Sequence, residues 1–232
     1  GDSVTEAEDK ARNAMAVLGR LVSAPSMKLT NAREAALVWE VRKSGLGAAS
    51  ILPNWNRTWP GWEDAAVPPE RLGGYLRDFR TLRDKYGYES AMYGHFGDGC
   101  VHMRIDFDLQ TVEGVSKFLR FLDEGADLVT RYGGSLSGEH GDGQARAALL
   151  PKMFGVELVE TFREFKRIWD PDNRMNPGMV VDAFGPDENL RMGPDYRPWQ
   201  PETHIHFPES RRQFSTALTR CVGVGRCRRL EG

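Results

Sequence analysis

Three histidines and a glutamate fall in two glycine-rich runs of this 232-residue chain. The first is Gly94-His95-Phe96-Gly97-Asp98-Gly99-Cys100-Val101-His102, where a glycine turn separates two imidazoles and lets the backbone bring them together. The second, Gly133 to Gly143, holds Glu139 and His140 side by side. Neutral imidazole is a common nitrogen ligand. His95, His102 and Glu139 therefore make a candidate metal set that fills three positions and leaves at least one open for water or substrate. His140 is left for proton chemistry. Core or surface histidines are the alternative. The glycines carry neither the Walker lysine nor the dinucleotide spacing, which argues against a phosphate cradle. Asp98 and Asp142 read as turn residues, and Cys100 as a small buried filler.

The elements that must position these residues can be read from spacing. Ser3-Val-Thr-Glu6 matches a capping box, and Ala7, Ala11, Ala14, Leu18 and Leu21 predict a helix over about 4–22. A second helix, capped by Thr30 and carrying Ala35, Val38, Trp39 and Arg42, should end at Gly45 and Gly47. Trp55, Trp59 and Trp62 among prolines and glycines form a lid or a packed crossover, with core burial the stronger reading. Pro68-Pro69-Glu70 opens a third helix that Leu72, Tyr75, Leu76, Phe79, Leu82 and Tyr86 carry to Gly87. Strands over 89–96 and 101–108 flank Gly97-Asp98-Gly99 as a hairpin. A long helix over 111–131 turns Val112, Val115, Leu119, Leu122, Ala126 and Val129 inward, and two more follow at about 144–151 and 155–169. This order predicts an α+β fold: an antiparallel sheet covered by helices, with an extended C-terminal tail. The domain division follows from composition: residues 1–182 form the folded part and 183–232 a proline-punctuated linker.

Lysine plus arginine (31) nearly balances aspartate plus glutamate (33), so no basic field marks a nucleic-acid binder. No apolar run approaches the roughly 20 residues of a membrane span, and the first residues lack a signal pattern. Three cysteines fit a reducing compartment, so the expected location is cytoplasmic, with peripheral membrane association through an electron acceptor as a second reading. The abrupt Gly-Asp-Ser start reads as that of an excised fragment.

Together, Gly94-His-Phe-Gly-Asp-Gly-Cys-Val-His102, Gly138-Glu-His-Gly141, Asn176-Pro-Gly178 and Trp59-Pro-Gly-Trp-Glu-Asp64 followed by Val67-Pro-Pro-Glu70 resemble the C-terminal cap region of FAD-linked oxidases. The type is that of the D-lactate, glycolate and D-2-hydroxyglutarate dehydrogenases. Arg220-Cys-Val-Gly-Val-Gly-Arg-Cys227 is similar to the opening of a ferredoxin-type segment in large members fused to an iron–sulfur module.

The resemblance implies a ferredoxin-like cap over 1–182 and a divalent metal, Zn or Mn, on His95, His102 and Glu139. It also implies His140 as the base that takes the hydroxyl proton of a small 2-hydroxy acid while hydride passes to FAD. FAD would be bound mainly by a domain outside this chain, with Asn176 touching it; a helix-stop turn is the other reading of Asn176. Arg42, in Trp39-Glu-Val-Arg42, looks like the family's binder of the substrate acid, with a solvated helix charge as the alternative. Arg104 is a second candidate, on the strand face of His102, and Arg57 a third. Related sequences often carry asparagine at 104 and at Cys100, so a changed or more highly charged substrate comes into view. Cys221 and Cys227 would supply part of a 4Fe-4S cluster in the parent protein, since two thiolates cannot complete one. The partners implied are the missing FAD-binding and iron–sulfur domains of the same polypeptide. A stand-alone metal-dependent hydrolase using the same ligands is the rival reading, and a purely structural module the third.

Overall fold

The computed structural model describes residues 2–21, 28, 30–52, 57–223, 225–228 and 230; Pro53 and Trp55 fall outside them. The chain forms two compact units, 1–45 and 46–232. The first carries helices α1 (Val4–Leu21) and α2 (Ala32–Lys43), neither of which buries a side chain. Lys10–Glu6 and Arg12–Glu8 pairs brace α1 at i, i+4 spacing. Asn31, rather than Thr30, caps α2: its side chain accepts the Glu34 N–H, while the Thr30 hydroxyl turns to the Glu34 carboxylate. The helix ends just before Gly45, as expected, and a five-residue helix, α3 (Gly45–Ala49), follows it.

The second unit is built on three antiparallel strands in the order β1-β3-β2: β1 (Ala65–Ala66), β2 (Ser90–His95) and β3 (Cys100–Ile105). The hairpin falls where the sequence places it, with Tyr93 opposite His102 and His95 opposite Cys100. Its strands are shorter than expected, because Asp106 turns back to accept the Glu89 N–H and Phe107 drops into the core. Every residue of β3 is buried. Val101, Met103 and Ile105 belong to the hydrophobic core, so Cys100, His102 and Arg104 take the opposite face by strand alternation.

Helices α4 (Leu72–Lys85) and α5 (Val112–Arg131) pack on one another, and Tyr75, Phe79, Phe121 and Leu122 fill the core. A single turn of tighter helix at Pro69–Arg71 precedes α4, as the paired prolines require. Thr111 caps α5 by accepting the Gly114 N–H. The buried stripe of α5 matches expectation at Leu122, Ala126 and Val129 but not at Val112, which is exposed, and Gly114, Phe118, Phe121 and Gly125 also lie inward. Trp62 is core, its indole donating to the Tyr75 hydroxyl at 3.2 Å, and Trp59 packs against the same cluster.

After the second glycine run the chain turns until Arg146, so the helix expected from 144 begins later, as a short turn at Ala147–Leu149 and α6 (Leu150–Phe154) with Pro151 in its first turn. Helix α7 (Val156–Trp169) follows Gly155. Beyond it the chain is irregular but not simply extended: it makes α8 (Phe214–Leu218) and buries Ser210 and Ser215. No helix among the described residues is long and apolar enough to cross a membrane.

Candidate metal and substrate site

Two tethers assemble the site. The β2–β3 turn carries His95 and His102, and residues 135–140 dock on the 64–66 segment beside it. Ala66 and Ser135 exchange both backbone hydrogen bonds at 2.8 and 3.1 Å, and the Gly138 N–H donates to the Asp64 carbonyl at 2.8 Å. The approach demands glycine at 138, where a Cβ would lie 2.8 Å from that of Ala66 and 3.1 Å from the Cys100 sulfur.

The three imidazoles meet one carboxylate oxygen. Nε2 of His102, His140 and His95 lies 3.0, 3.4 and 3.5 Å from Glu139 Oε1. The His102 and His140 rings stack at 5.1 Å and 5°, and His95 stands edge-on to His102 at 5.5 Å. His102 is buried, whereas His95, Glu139 and His140 are each open to solvent on over two-fifths of the side chain, which gives the cluster a closed floor and an accessible mouth. His102 Nδ1 lies 2.7 Å from the Glu63 carbonyl oxygen, which can only accept. The proton of the neutral ring is therefore assigned to Nδ1, and the Nε2 lone pair faces the cluster, the outer-sphere arrangement that orients an imidazole ligand.

Asp64 is a fifth participant that sequence reasoning did not select. Its ligand atom and those of His102, Glu139 and His140 all lie within 4.8 Å of one another. The side chain is fully buried. Oδ2 accepts from Ser137 Oγ and from the backbone N–H groups of Glu139 (3.0 Å) and His140 (2.8 Å), and Oδ1 from Cys100 Sγ at 3.3 Å. Burial alone would raise its pKa, but these donors outweigh it and pull the carboxyl down to about 2. Cys100 is the counterpart: burial, and then the hydrogen bond to Asp64, push its thiol up to about 12, so it stays protonated as a filler and donor.

A pH dependence follows. With a folded pKa below the ordinary 3.8, Asp64 stabilises the fold above that value, and its contribution is lost as pH falls from there toward about 2. Urea denaturation at stepped pH should show the wild type more stable than Asp64→Asn at neutral pH, with the gap closing over that window. A gap unchanged down to pH 2 would contradict it.

Arg104 is buried, and its guanidinium donates to Thr58 O at 3.0 Å, Thr58 Oγ1 at 3.3 Å and Glu63 Oε2 at 3.4 Å. Its donors thus hold the strap running from Thr58 to Glu63. Arg57 stacks over Trp59 at 4.7 Å and lines a cleft of about 500 Å³ beyond the end of β3, shared with Asp108, Gln110, Gln200 and Thr216. Burial, then the neighbouring Arg104, lower its pKa. Arg42 lies in the first unit, over the Trp39 ring at 5.4 Å. Asn176 is exposed with a left-handed φ of 47°. Cys221 and Cys227 are free and exposed.

The donor set fits a divalent ion: imidazole nitrogens and a carboxylate converge on one point, and an oriented His102 lone pair faces a carboxylate oxygen across 3.0 Å. The chain is similar to several known proteins. "D-2-hydroxyglutarate dehydrogenase" of Haemophilus influenzae is 34% identical over 191 residues, 82% of this chain and 18% of that protein. The Pseudomonas putida protein of the same name is 38% identical over 153 residues, 66% of this chain and 15% of its own. "D-lactate dehydrogenase" of Archaeoglobus fulgidus is 39% identical over 119 residues, 51% of this chain and 26% of its own. The chain spans about a fifth of the length of these relatives. The family profile described as "FAD linked oxidases, C-terminal domain" matches residues 1–180, and the chain belongs to that family.

Proposed function

We propose that this chain is the substrate- and metal-binding part of a flavin-dependent oxidoreductase that oxidises a small 2-hydroxy acid, of D configuration, to the 2-oxo acid. The observation that carries it is the convergence of three imidazole Nε2 atoms on Glu139 Oε1 in a chain of the FAD-linked oxidase family. His95, His102 and Glu139 are the ligands of a divalent ion, Zn or Mn. Bound there, the ion would supply Lewis acidity to a hydroxyl and hold the substrate by chelation.

His140, on the accessible side, takes the hydroxyl proton at Nε2, and its stacking on buried His102 fixes the ring plane. Arg42 binds the substrate carboxylate, with Arg104 and Arg57 as further cationic candidates; of these Arg104 also holds the Thr58–Glu63 strap. FAD, held mainly by sequence outside this chain and touched by Asn176, is the hydride acceptor that the family supplies.

Finer points belong to the same proposal. The order β1-α4-β2-β3-α5 supports a ferredoxin-like cap, with residues 1–182 as the family domain and 183–232 as the linker and start of an iron–sulfur module. Cys221 and Cys227 are the first ligands of a 4Fe-4S cluster there, completed by cysteines from that module. The activity is placed in the cytoplasm. The hydrolase reading draws no support from the relatives, whose names are those of dehydrogenases.

The test is a flavin-containing parent protein offered small D-2-hydroxy acids with an artificial electron acceptor. Turnover should fall at least tenfold on dialysis against a chelator and return with Zn²⁺ or Mn²⁺, and Arg42→Ala should chiefly raise KM. The same preparation should contain iron and acid-labile sulfide. Hydroxy-acid oxidation indifferent to metal would sink the assignment of His95, His102 and Glu139.

A further inference from the structure

We infer that Asp64 is a positioning residue of this site, one buried carboxylate that fixes Glu139 and His140 through one oxygen and the tautomer of His140 through the other. The inference rests on the metal reading above. Oδ2 gathers the Ser137 hydroxyl and the consecutive N–H groups of Glu139 and His140, so it sets the backbone from which both side chains depart. Oδ1 faces the opposite way, 3.8 Å from His102 Nδ1 and 3.9 Å from His140 Nδ1. The two stacked rings thus share a polarity: Nδ1 toward the Asp64 carboxylate, Nε2 toward Glu139.

With the Glu139 carboxylate engaged by the ion, the negative charge behind both rings favours the proton on Nδ1 and leaves Nε2 of each ring unprotonated in the neutral form. That is the atom His102 needs as a ligand and His140 needs as a base. For His102 the Glu63 carbonyl at 2.7 Å already enforces this tautomer. His140 lies between two carboxylates, with Glu139 Oε1 3.4 Å from Nε2 and Asp64 Oδ1 3.9 Å from Nδ1, so once Glu139 is engaged by the ion the Asp64 carboxylate is the group that sets its tautomer. β1 pairs with β3 through Ala65 and Ala66, and this locks Asp64 to the strand that carries His102. The residue therefore couples the two glycine-rich segments in one element.

Asp64→Asn separates the two roles of the carboxylate. The amide oxygen can keep the three donors of Oδ2, but the amide NH₂ then faces both Nδ1 atoms and opposes a proton there. Ring-nitrogen NMR of the Zn²⁺-loaded wild-type chain at neutral pH should find both His102 and His140 protonated at Nδ1. In Asp64→Asn the His140 ring should shift to the Nε2-protonated tautomer while His102 stays. Competition with a chelator should show Zn²⁺ or Mn²⁺ bound on the order of 10- to 100-fold more weakly by the variant, the usual scale for losing an outer-sphere partner.

His140 protonated at Nε2 in the Zn²⁺-loaded wild-type chain would overturn the inference, and this measurement stands even if the variant does not fold. Unchanged tautomer and affinity in a folded Asp64→Asn would overturn it too, while leaving the metal assignment intact. A wild-type chain that binds neither ion, or binds it equally well as Glu139→Gln, would instead bring down the metal reading, and this inference with it.

Discussion

Replacing His140 with alanine in a full-length, flavin-containing parent is expected to lower turnover by about 100-fold or more, the scale of positioned acid–base catalysis, while leaving metal content nearly intact. Replacing Glu139 with alanine is expected to empty the site. The two residues are adjacent in sequence, and their ring nitrogen and carboxylate oxygen stand 3.4 Å apart, so the contrast is a sharp test of the separation of roles. Glu139 Oε1 is the point on which all three imidazoles converge; without it they face one another as uncompensated nitrogen donors. His140 is exposed on 45% of its side chain, as a group receiving a proton from an entering substrate must be, whereas His102 is exposed on 7%. Metal analysis of dialysed protein and steady-state kinetics of the parent decide it. If His140→Ala empties the site and Glu139→Ala does not, the roles are reversed, an outcome the geometry makes worth measuring because His140 also lies within ligand reach.

The hairpin, its turn and the four residues of the cluster were legible because their signals are local: glycines at forced turns, period-two alternation, histidines at a spacing that a hairpin closes. The unread parts depend on contacts distant in sequence. Asp64 reads as the end of a tryptophan-rich loop, and only the docking of residues 135–140, over 70 positions later, makes its carboxylate a hub. β1 is two residues long, below any periodicity, and exists because β3 has a free edge for it.

Helix α5 was legible in part. Leu122, Ala126 and Val129 lie inward as their spacing predicts, yet Gly114 and Gly125 face inward too, where Asp108 fills the space a side chain would need at 114 and Trp62 packs closely over 125. A pattern of apolar residues does not register a glycine that buries a neighbour. Arg104 was expected to point with His102 and does share its face, but its donors are taken up by Thr58 and Glu63. The same strap contributes the carbonyl that orients His102, so Arg104 supports the metal-facing nitrogen at one remove.

The hairpin turn should be the most fragile part of this arrangement. Gly99 adopts φ 76° and ψ 5°, donates its N–H to the Phe96 carbonyl at 3.1 Å, and accepts the Val67 N–H at 3.0 Å. It thus ends the tight turn after His95 and ties β3 to the chain leaving β1. An added Cβ would overlap the Val67 carbonyl oxygen, and backbone cannot move aside as a flexible side chain would. Left-handed geometry costs a non-glycine residue about 1–2 kcal/mol, and overpacking typically adds about 1–3 kcal/mol. Gly99→Ala is therefore expected to destabilise the fold by about 3 kcal/mol in urea denaturation, and to weaken Zn²⁺ binding because His95 and His102 lie either side of the displaced turn. Gly97, two residues earlier in the same turn, has nothing within 4 Å of a Cβ, so Gly97→Ala should stay within about 0.5 kcal/mol of wild type. Equal effects at both positions would mean that generic loss of glycine flexibility, rather than the contact with Val67, governs this turn.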